Sequence, residues 1–269
     1  KSSSRQLVEH NLYGGVNLLE YARRHNSGFI LLSSSRVYSI AHLSALPMRE
    51  GNQALELDIT RPLPAGVSGN GIAEEFSLAA PVSLYGATKL AGETLALEYG
   101  YAFGFPVWIN RCGVLAGAGQ FGLASQGIFS YWMHAHRSRR PLRYIGFGGR
   151  GLQVRDAFHP DDLADLLRLE MRDGATEGER TFNLGGGAAN SMSLAQLTAE
   201  CDARFGAHAP VSESIERPFD LPWVVMDSSR ARERFGWRIE RTLPLILEEI
   251  AKHAIEHPEW LDLCEGKLR

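Results

Sequence analysis

Tyr85 and Lys89 stand four residues apart in Ser83-Leu-Tyr-Gly-Ala-Thr-Lys89, inside a stretch whose apolar spacing predicts a helix over Ser83–Tyr101. Residues at i and i+4 share one helical face. An ammonium held beside a phenol favours the phenolate and draws the tyrosine toward acid-base work. Upstream, the apolar run Phe29–Leu32 enters Ser33-Ser34-Ser35. A serine hydroxyl at the carboxyl end of a strand lies where open α/β sheets bind ligands, so a serine of this run is placed to hold a substrate hydroxyl against Tyr85. A Tyr-x-x-x-Lys pair alone occurs by chance in many helices; its position downstream of a serine-ended strand gives it weight.

The elements that must hold these residues alternate. A helix is expected over Gln6–His25, a strand at Phe29–Leu32, a helix over Ser83–Tyr101 and a buried strand over Pro106–Val114. Strands alternating with helices imply a parallel sheet with crossover helices. Residues 39–80, rich in Gly and Pro, read as one long functional loop. Further on, helices are expected at Ser125–Arg137, Pro160–Arg172, Ser193–Phe205, Ser228–Phe235 and Leu243–His257, with strands at Leu142–Ile145 and Thr181–Leu184. Ser193 with Gln196 forms a capping box, and Pro160 suits a first helical turn.

The chain has 269 residues, 44% apolar and 22% charged, with a net charge of −3. That is an ordinary globular composition, and it calls for neither nucleic acid nor an anionic membrane as partner. The cluster His136, Arg137, Arg139, Arg140 and Arg143 reads as a solvated helix end. Cys112, Cys201 and Cys264 are far apart and share no metal-ligand spacing with any histidine, which argues for a reducing compartment and no metal. There is no secretory h-region and no apolar run long enough to span a bilayer; the cytoplasm is the expected location.

Five segments, in this order, resemble the extended short-chain dehydrogenases, the NAD-dependent epimerase/dehydratase family: Asn17-Leu-Leu-Glu20, Leu32-Ser-Ser-Ser-Arg-Val-Tyr38, Tyr85-Gly-Ala-Thr-Lys-Leu-Ala-Gly-Glu93, Val154-Arg-Asp156 and Phe182-Asn-Leu-Gly-Gly186. The resemblance implies a doubly wound, Rossmann-like parallel sheet with a smaller substrate domain. Residues 1–122 would be the remaining part of the dinucleotide-binding domain and 123–269 mainly the sugar-nucleotide domain, with 160–184 returning to the sheet. It also implies NAD, a nucleoside-diphosphate sugar and transient oxidation of one sugar hydroxyl. By it, Tyr85 would be the acid/base, Lys89 would hold the nicotinamide ribose, Ser34 would complete the triad, and Ser33 would join Tyr85 and Lys89 at the cofactor. Substrate would meet Ser35, Arg36, Gln120 and Gln126, with Arg155 and Arg217 clamping the diphosphate through guanidinium forks.

The residues after Ser34 separate activities within the family. Its dehydratases carry Asp-Glu there and its decarboxylases a Glu; Ser35-Arg36 has no carboxylate, so elimination lacks its acid and epimerisation is favoured. Gln120-Phe121, Gln126-Gly127, Gln153-Val-Arg-Asp156 and the run Asn183–Leu194 resemble most the branch that epimerises CDP-paratose/tyvelose at C2. Ser125 and Val114 depart from the branch and from the hexose 4-epimerases respectively, leaving open the sugar and a UDP-hexose 4-epimerase or reductase. A non-catalytic module binding a sugar nucleotide or a protein partner is the reading from another class.

Two glycine runs imitate a phosphate loop. Gly117–Gly122 precedes a helix, yet no Asp or Glu stands between Glu98 and Asp156 to take the ribose. Gly146–Gly151 reads as a hairpin. His159 with Asp161-Asp162 opens a helix, where acids suit the dipole; His10, His42 and His253 have no partners in sequence, and Trp132, Trp223 and Trp237 read as core or rim. Because the first recognisable element is already a helix, two to three βαβ units of roughly 30 residues each, one with the glycine-rich loop, are expected upstream. Without them the strands at Phe29–Leu32 and Pro106–Val114 would expose an apolar edge, and the chain would hold NAD poorly. In the family that the chain resembles these two helices pair with those of a second copy, so the resemblance implies a homodimer.

Overall fold

The computed structural model describes residues 3–124, 126–174, 177–213, 215 and 220–267. Three parallel strands form the main sheet: β1 (Phe29–Ser34), β2 (Val107–Cys112) and β4 (Thr181–Leu184), with β2 between the other two. Ser34 and Leu184 both pair with Cys112, so the carboxyl ends lie level. β3 (Val154–Phe158) belongs to a second sheet, between Ser191–Ser193 and Trp223–Val224. The chain leaves the first sheet at Gly113, and Val114–Leu115 runs parallel to β3.

Helices cover both faces of the main sheet, as a doubly wound α/β fold requires. α1 (Gly14–His25) and α2 (Ser83–Phe103) bury Leu19, Ala22 and Ala96 against Val107 and Ile109. α3 (Ile128–Arg137) lies with the second sheet, whereas α4 (Pro160–Asp173) and the Ser229–Phe235 helix pack Leu163, Leu166 and Ala231 against Trp108, Cys112 and Phe182. β2 is buried throughout, yet its sequence VWINRC carries two polar residues. Side chains alternate across a strand, so Asn110 meets α4 and Arg111 meets α2. Each finds an acid there: Asn110 donates to Glu170 at 2.8 Å, and Arg111 pairs with Glu93 at 2.7 Å.

Asp156 ties the two sheets together. It is fully buried, and its Oδ2 accepts from the N–H groups of Gly187 and Met226, both at 3.1 Å. A Cβ on Gly185 would lie 2.1 Å from that oxygen, so only glycine fits there. Burial pushes the Asp156 carboxyl up to about 6.

Several expectations need correction. The Gln6–His25 helix is a helical run from Ser4 with a π-helical turn at Glu9–Tyr13. Residues 39–80 do not form an open functional loop: a short helix at Ile40–Ser44 and two small hairpins bury Leu43, Ile72 and Phe76 against Trp223, Val225 and Met226. Gly146–Gly151 is no hairpin, because Arg143–Ile145 pairs in parallel with Val211–Glu213 rather than with β3. β2 has neighbours on both sides, so it presents no edge; β1 and β4 are the edge strands, and Leu32 of β1 is exposed. His136 is buried and bonds Asp202 at 2.8 Å instead of ending a solvated helix. Asp161 and Asp162 stand in the first turn of α4 as expected, and Asp162 is in addition buried and paired with Arg241 at 2.8 Å.

Burial pushes the Glu170 carboxyl up to about 7, and its Oε1 has no partner among the described residues. A raised carboxyl contributes stability that is present at low pH and lost as pH rises through its folded pKa. Glu170→Gln should therefore gain on the wild type between pH 5 and pH 8, by on the order of 2 kcal/mol. Denaturant titrations across that range measure the difference; a pH-independent difference would show that Glu170 is not held protonated.

Candidate active site

A cavity of about 960 Å³ opens at the carboxyl ends of β1 and β2, between the main sheet and the second half of the chain. Ser34, the last residue of β1, lines it, and its Oγ accepts from the Arg36 N–H at 3.2 Å. The short turn so formed presses on the first turn of α2. A Cβ on Gly86 would sit 2.1 Å from the Arg36 carbonyl oxygen, so glycine after Tyr85 lets the helix approach. Tyr85 lines the same cavity and is 40% exposed. One turn on, Lys89 donates to the Leu32 carbonyl at 2.6 Å, and burial lowers its pKa.

Beneath these groups runs a buried polar chain. Ser33 Oγ donates to Glu93 Oε1, and Arg111 donates to Glu93 through Nε and Nη2 and to the Tyr38 hydroxyl through Nη1 at 3.3 Å. Tyr38 in turn donates to Asn183 Oδ1 at 2.6 Å; burial pushes its phenol up to about 12. Ser33 therefore spends its hydroxyl on α2, although it borders the cavity.

Of the substrate residues expected from sequence, Arg36, Gln120, Gln126 and Arg155 line the cavity. Ser35 and Lys89 are not among its lining, and Arg217, like Ser125, lies outside the described residues. Arg155 pairs with Asp220 at 3.4 Å. Sequence reasoning missed Gln153, Tyr131, Arg143 and Asp220 on the same wall. Gln153 was within reach, because it stands two residues before Arg155 on an extended segment and so shares its face. Arg143, also read with the basic cluster, lies in the expected strand and is held by Glu213 at 2.5 Å; only the return of Val211–Glu213 supplies that partner. His253, without a partner in sequence, bonds His134 at 3.1 Å, and Trp132, Trp223 and Trp237 are buried.

Ser34 and Tyr85 bring two hydroxyls to the cavity, and Lys89 stands one turn behind Tyr85 with its ammonium on the Leu32 carbonyl. Gly117–Gly122 does not offer the pyrophosphate cradle: a Cβ on Gly122 would lie 2.7 Å from the Tyr131 N–H nitrogen, so this turn is packed down on α3. Among the described residues, no cluster of His, Cys, Asp or Glu could hold a metal ion.

A doubly wound sheet carrying a serine at a strand end against a Tyr-x-x-x-Lys helix defines the short-chain dehydrogenase class. Within it, the chain belongs to the NAD dependent epimerase/dehydratase family, whose sequence model matches residues 1–185. It is 28% identical over 237 residues to CDP-paratose 2-epimerase of Salmonella typhi, covering 85% of this chain and 66% of that protein. To UDP-glucose 4-epimerase of Azospirillum brasilense it is 31% identical over 171 residues, 58% of this chain and 48% of that one. The chain thus spans about two thirds of the length of the first relative and about half of the second. The solved UDP-glucose 4-epimerase of Thermotoga maritima superposes with a TM-score of 0.73 at 19% identity, over 94% of this chain and 72% of that one, a likeness of fold.

The Arg111–Glu93 pair is the element on which this geometry rests. Arg111→Met would leave the Glu93 carboxylate buried without its cation, a loss of about 3–5 kcal/mol. Equilibrium denaturation measures it; a loss below 1 kcal/mol would mean that the pair does not hold α2 in place.

Proposed function

We propose that the protein is an NAD-dependent epimerase that inverts one carbon of a nucleoside-diphosphate sugar through a transient keto-sugar. The observation that carries this reading is the joining of Ser34 and Tyr85 with Arg36, Gln120, Gln126 and Arg155 around one cavity. In the reading, Ser34 orients the sugar hydroxyl, Tyr85 takes its proton and later returns it, and Lys89 with Tyr85 holds the nicotinamide ribose. Reversible hydride acceptance from the sugar carbon is the chemistry that bound NAD supplies. Arg155 neutralises the diphosphate, as would Arg217.

Elimination is disfavoured. The one carboxylate among the described lining residues is Asp220, already turned to Arg155, so nothing at the Ser34 end serves as the acid for expelling water. The finer reading is C2 inversion of a CDP-sugar, supported by the likeness to CDP-paratose 2-epimerase over most of the chain. C4 inversion of a UDP-hexose is the second reading, supported by relatives named UDP-glucose 4-epimerase and by the thermophile fold. We propose a cytoplasmic location because Cys112, Cys201 and Cys264 stand apart as free thiols, as a reducing compartment keeps them.

Tyr85→Phe should bind nucleotide sugar nearly as well as the wild type while losing about 10²–10⁴-fold in turnover, the usual worth of positioned proton transfer. NMR detection of the epimerised product from CDP-, UDP-, GDP- and dTDP-sugars measures it and names the substrate; full activity of the variant would remove Tyr85 from the reaction. We also propose a homodimer through α1, the π-helical turn before it and α2, which leave Tyr13, Leu18, Tyr21 and Tyr101 exposed, Tyr101 at 90%. Light scattering at micromolar concentration should give twice the chain mass, and Leu18→Glu with Tyr21→Glu should halve it. A wild-type monomer would reject this assembly.

A further inference from the structure

α5 (Leu243–Glu256) and α6 (Trp260–Cys264) close the chain against α3, on the outside of the cavity wall. Trp260 Nε1 donates to the Gln120 carbonyl at 2.9 Å, and the same carbonyl accepts from Ser130 Oγ of α3 at 2.8 Å. Two residues on, the Gly122 N–H donates to Cys264 Sγ at 3.4 Å. Phe121, between them, lays its ring 5.5 Å from that of Trp260. α6 is itself pinned, since Arg140 reaches Asp262 at 2.8 Å and Glu265 at 3.5 Å. Behind the indole, the His253 ring stands 4.8 Å away and bonds His134 of α3. Residues 120–122 are thus gripped from the solvent side by α6 and from beneath by α3.

What they present to the cavity is Gln120. One of its two side-chain N–H groups goes to the Leu115 carbonyl, and its Oε1 is buried with no partner among the described residues. An amide oxygen left without a partner takes an O–H or N–H from a ligand, which a sugar hydroxyl supplies and an ionised phosphate oxygen does not. A buried acceptor left unmatched is costly, so a ligand that supplies the donor is selected over one that does not.

We propose that α6 is a strap and Trp260 a positioning residue, which together set Gln120 to accept a hydroxyl of the bound nucleotide sugar. The identity of the ligand rests on the epimerase reading; the strap does not. Trp260→Phe keeps a ring in place and removes only the N–H. It should raise amide hydrogen exchange across residues 117–127 at least about ten-fold while leaving exchange in β2 and the melting temperature nearly unchanged, since the opening is local. By calorimetry, the better bound of CDP-glucose and UDP-glucose should weaken about 5- to 10-fold. Gln120→Leu should weaken it as much, and the double variant no further, because the two side chains act through one contact. CDP and UDP alone should bind all four proteins alike. Unchanged exchange in Trp260→Phe, a rise spread over the whole chain, or losses that multiply in the double variant would overturn the proposal. Binding of neither sugar nucleotide by the wild type would overturn the epimerase reading and the Gln120 contact, and the exchange result would still decide the strap.

Discussion

The Arg111–Glu93 ion pair fixes where α2 lies on the sheet, and the site follows from that. Arg111 points from β2 to the helix face and Glu93 points back, with 7% and 3% of their side chains exposed. Two buried charges at that depth are tolerated only when their remaining valences are met. Ser33 on β1, Tyr38 after it and Asn183 on β4 supply them, so all three strands and α2 share one polar lattice. Sliding α2 by one turn would take Glu93 away from both Ser33 and Arg111, which gives the placement of α2 on the sheet a physical cause.

A second constraint is steric. Gly86 admits the Arg36 carbonyl, Gly100 admits Val107, and Gly185 admits Asp156, each at a distance where a Cβ would collide with its neighbour. The first two draw α2 down onto the turn and onto β2; the third joins the main sheet to the one bearing Arg155. The cavity is the space left between two bodies that touch through glycines and buried carboxylates. Its walls come from segments over a hundred residues apart.

The end of β1 sets the character of the near wall. Ser35-Arg36 offers no carboxylate, and the structure puts Arg36 on the cavity wall while Ser35 is absent from the lining. The far wall pairs an aromatic surface, Phe129, Tyr131 and Trp132, with polar groups whose acceptors are unmatched among the described residues, at Gln120, Gln153 and Asp220. That composition suits a ligand rich in hydroxyl and amine donors at one end of a diphosphate.

Local chemistry was legible in the sequence because it is written in near neighbours. The Tyr85–Lys89 spacing, the serine-ended strand, the capping box of Ser193 with Gln196 (both of its hydrogen bonds form) and the αβ alternation depend on residues a few positions apart. Arg155 and the two glutamines came from matched motifs, and they meet in the cavity. The rest depended on contacts between distant segments. Nothing near residues 39–80 says that Ile72 will pair with Met226 and bury a hairpin-rich segment in the core. Nothing near Arg143 says that Glu213 will hold it on the wall, and nothing near Trp260 says that its indole will reach Gln120, 140 residues away. Spacing fixes which side chains share a face; only tertiary packing decides what that face meets, because burial and hydrogen-bond satisfaction are settled between elements rather than within them.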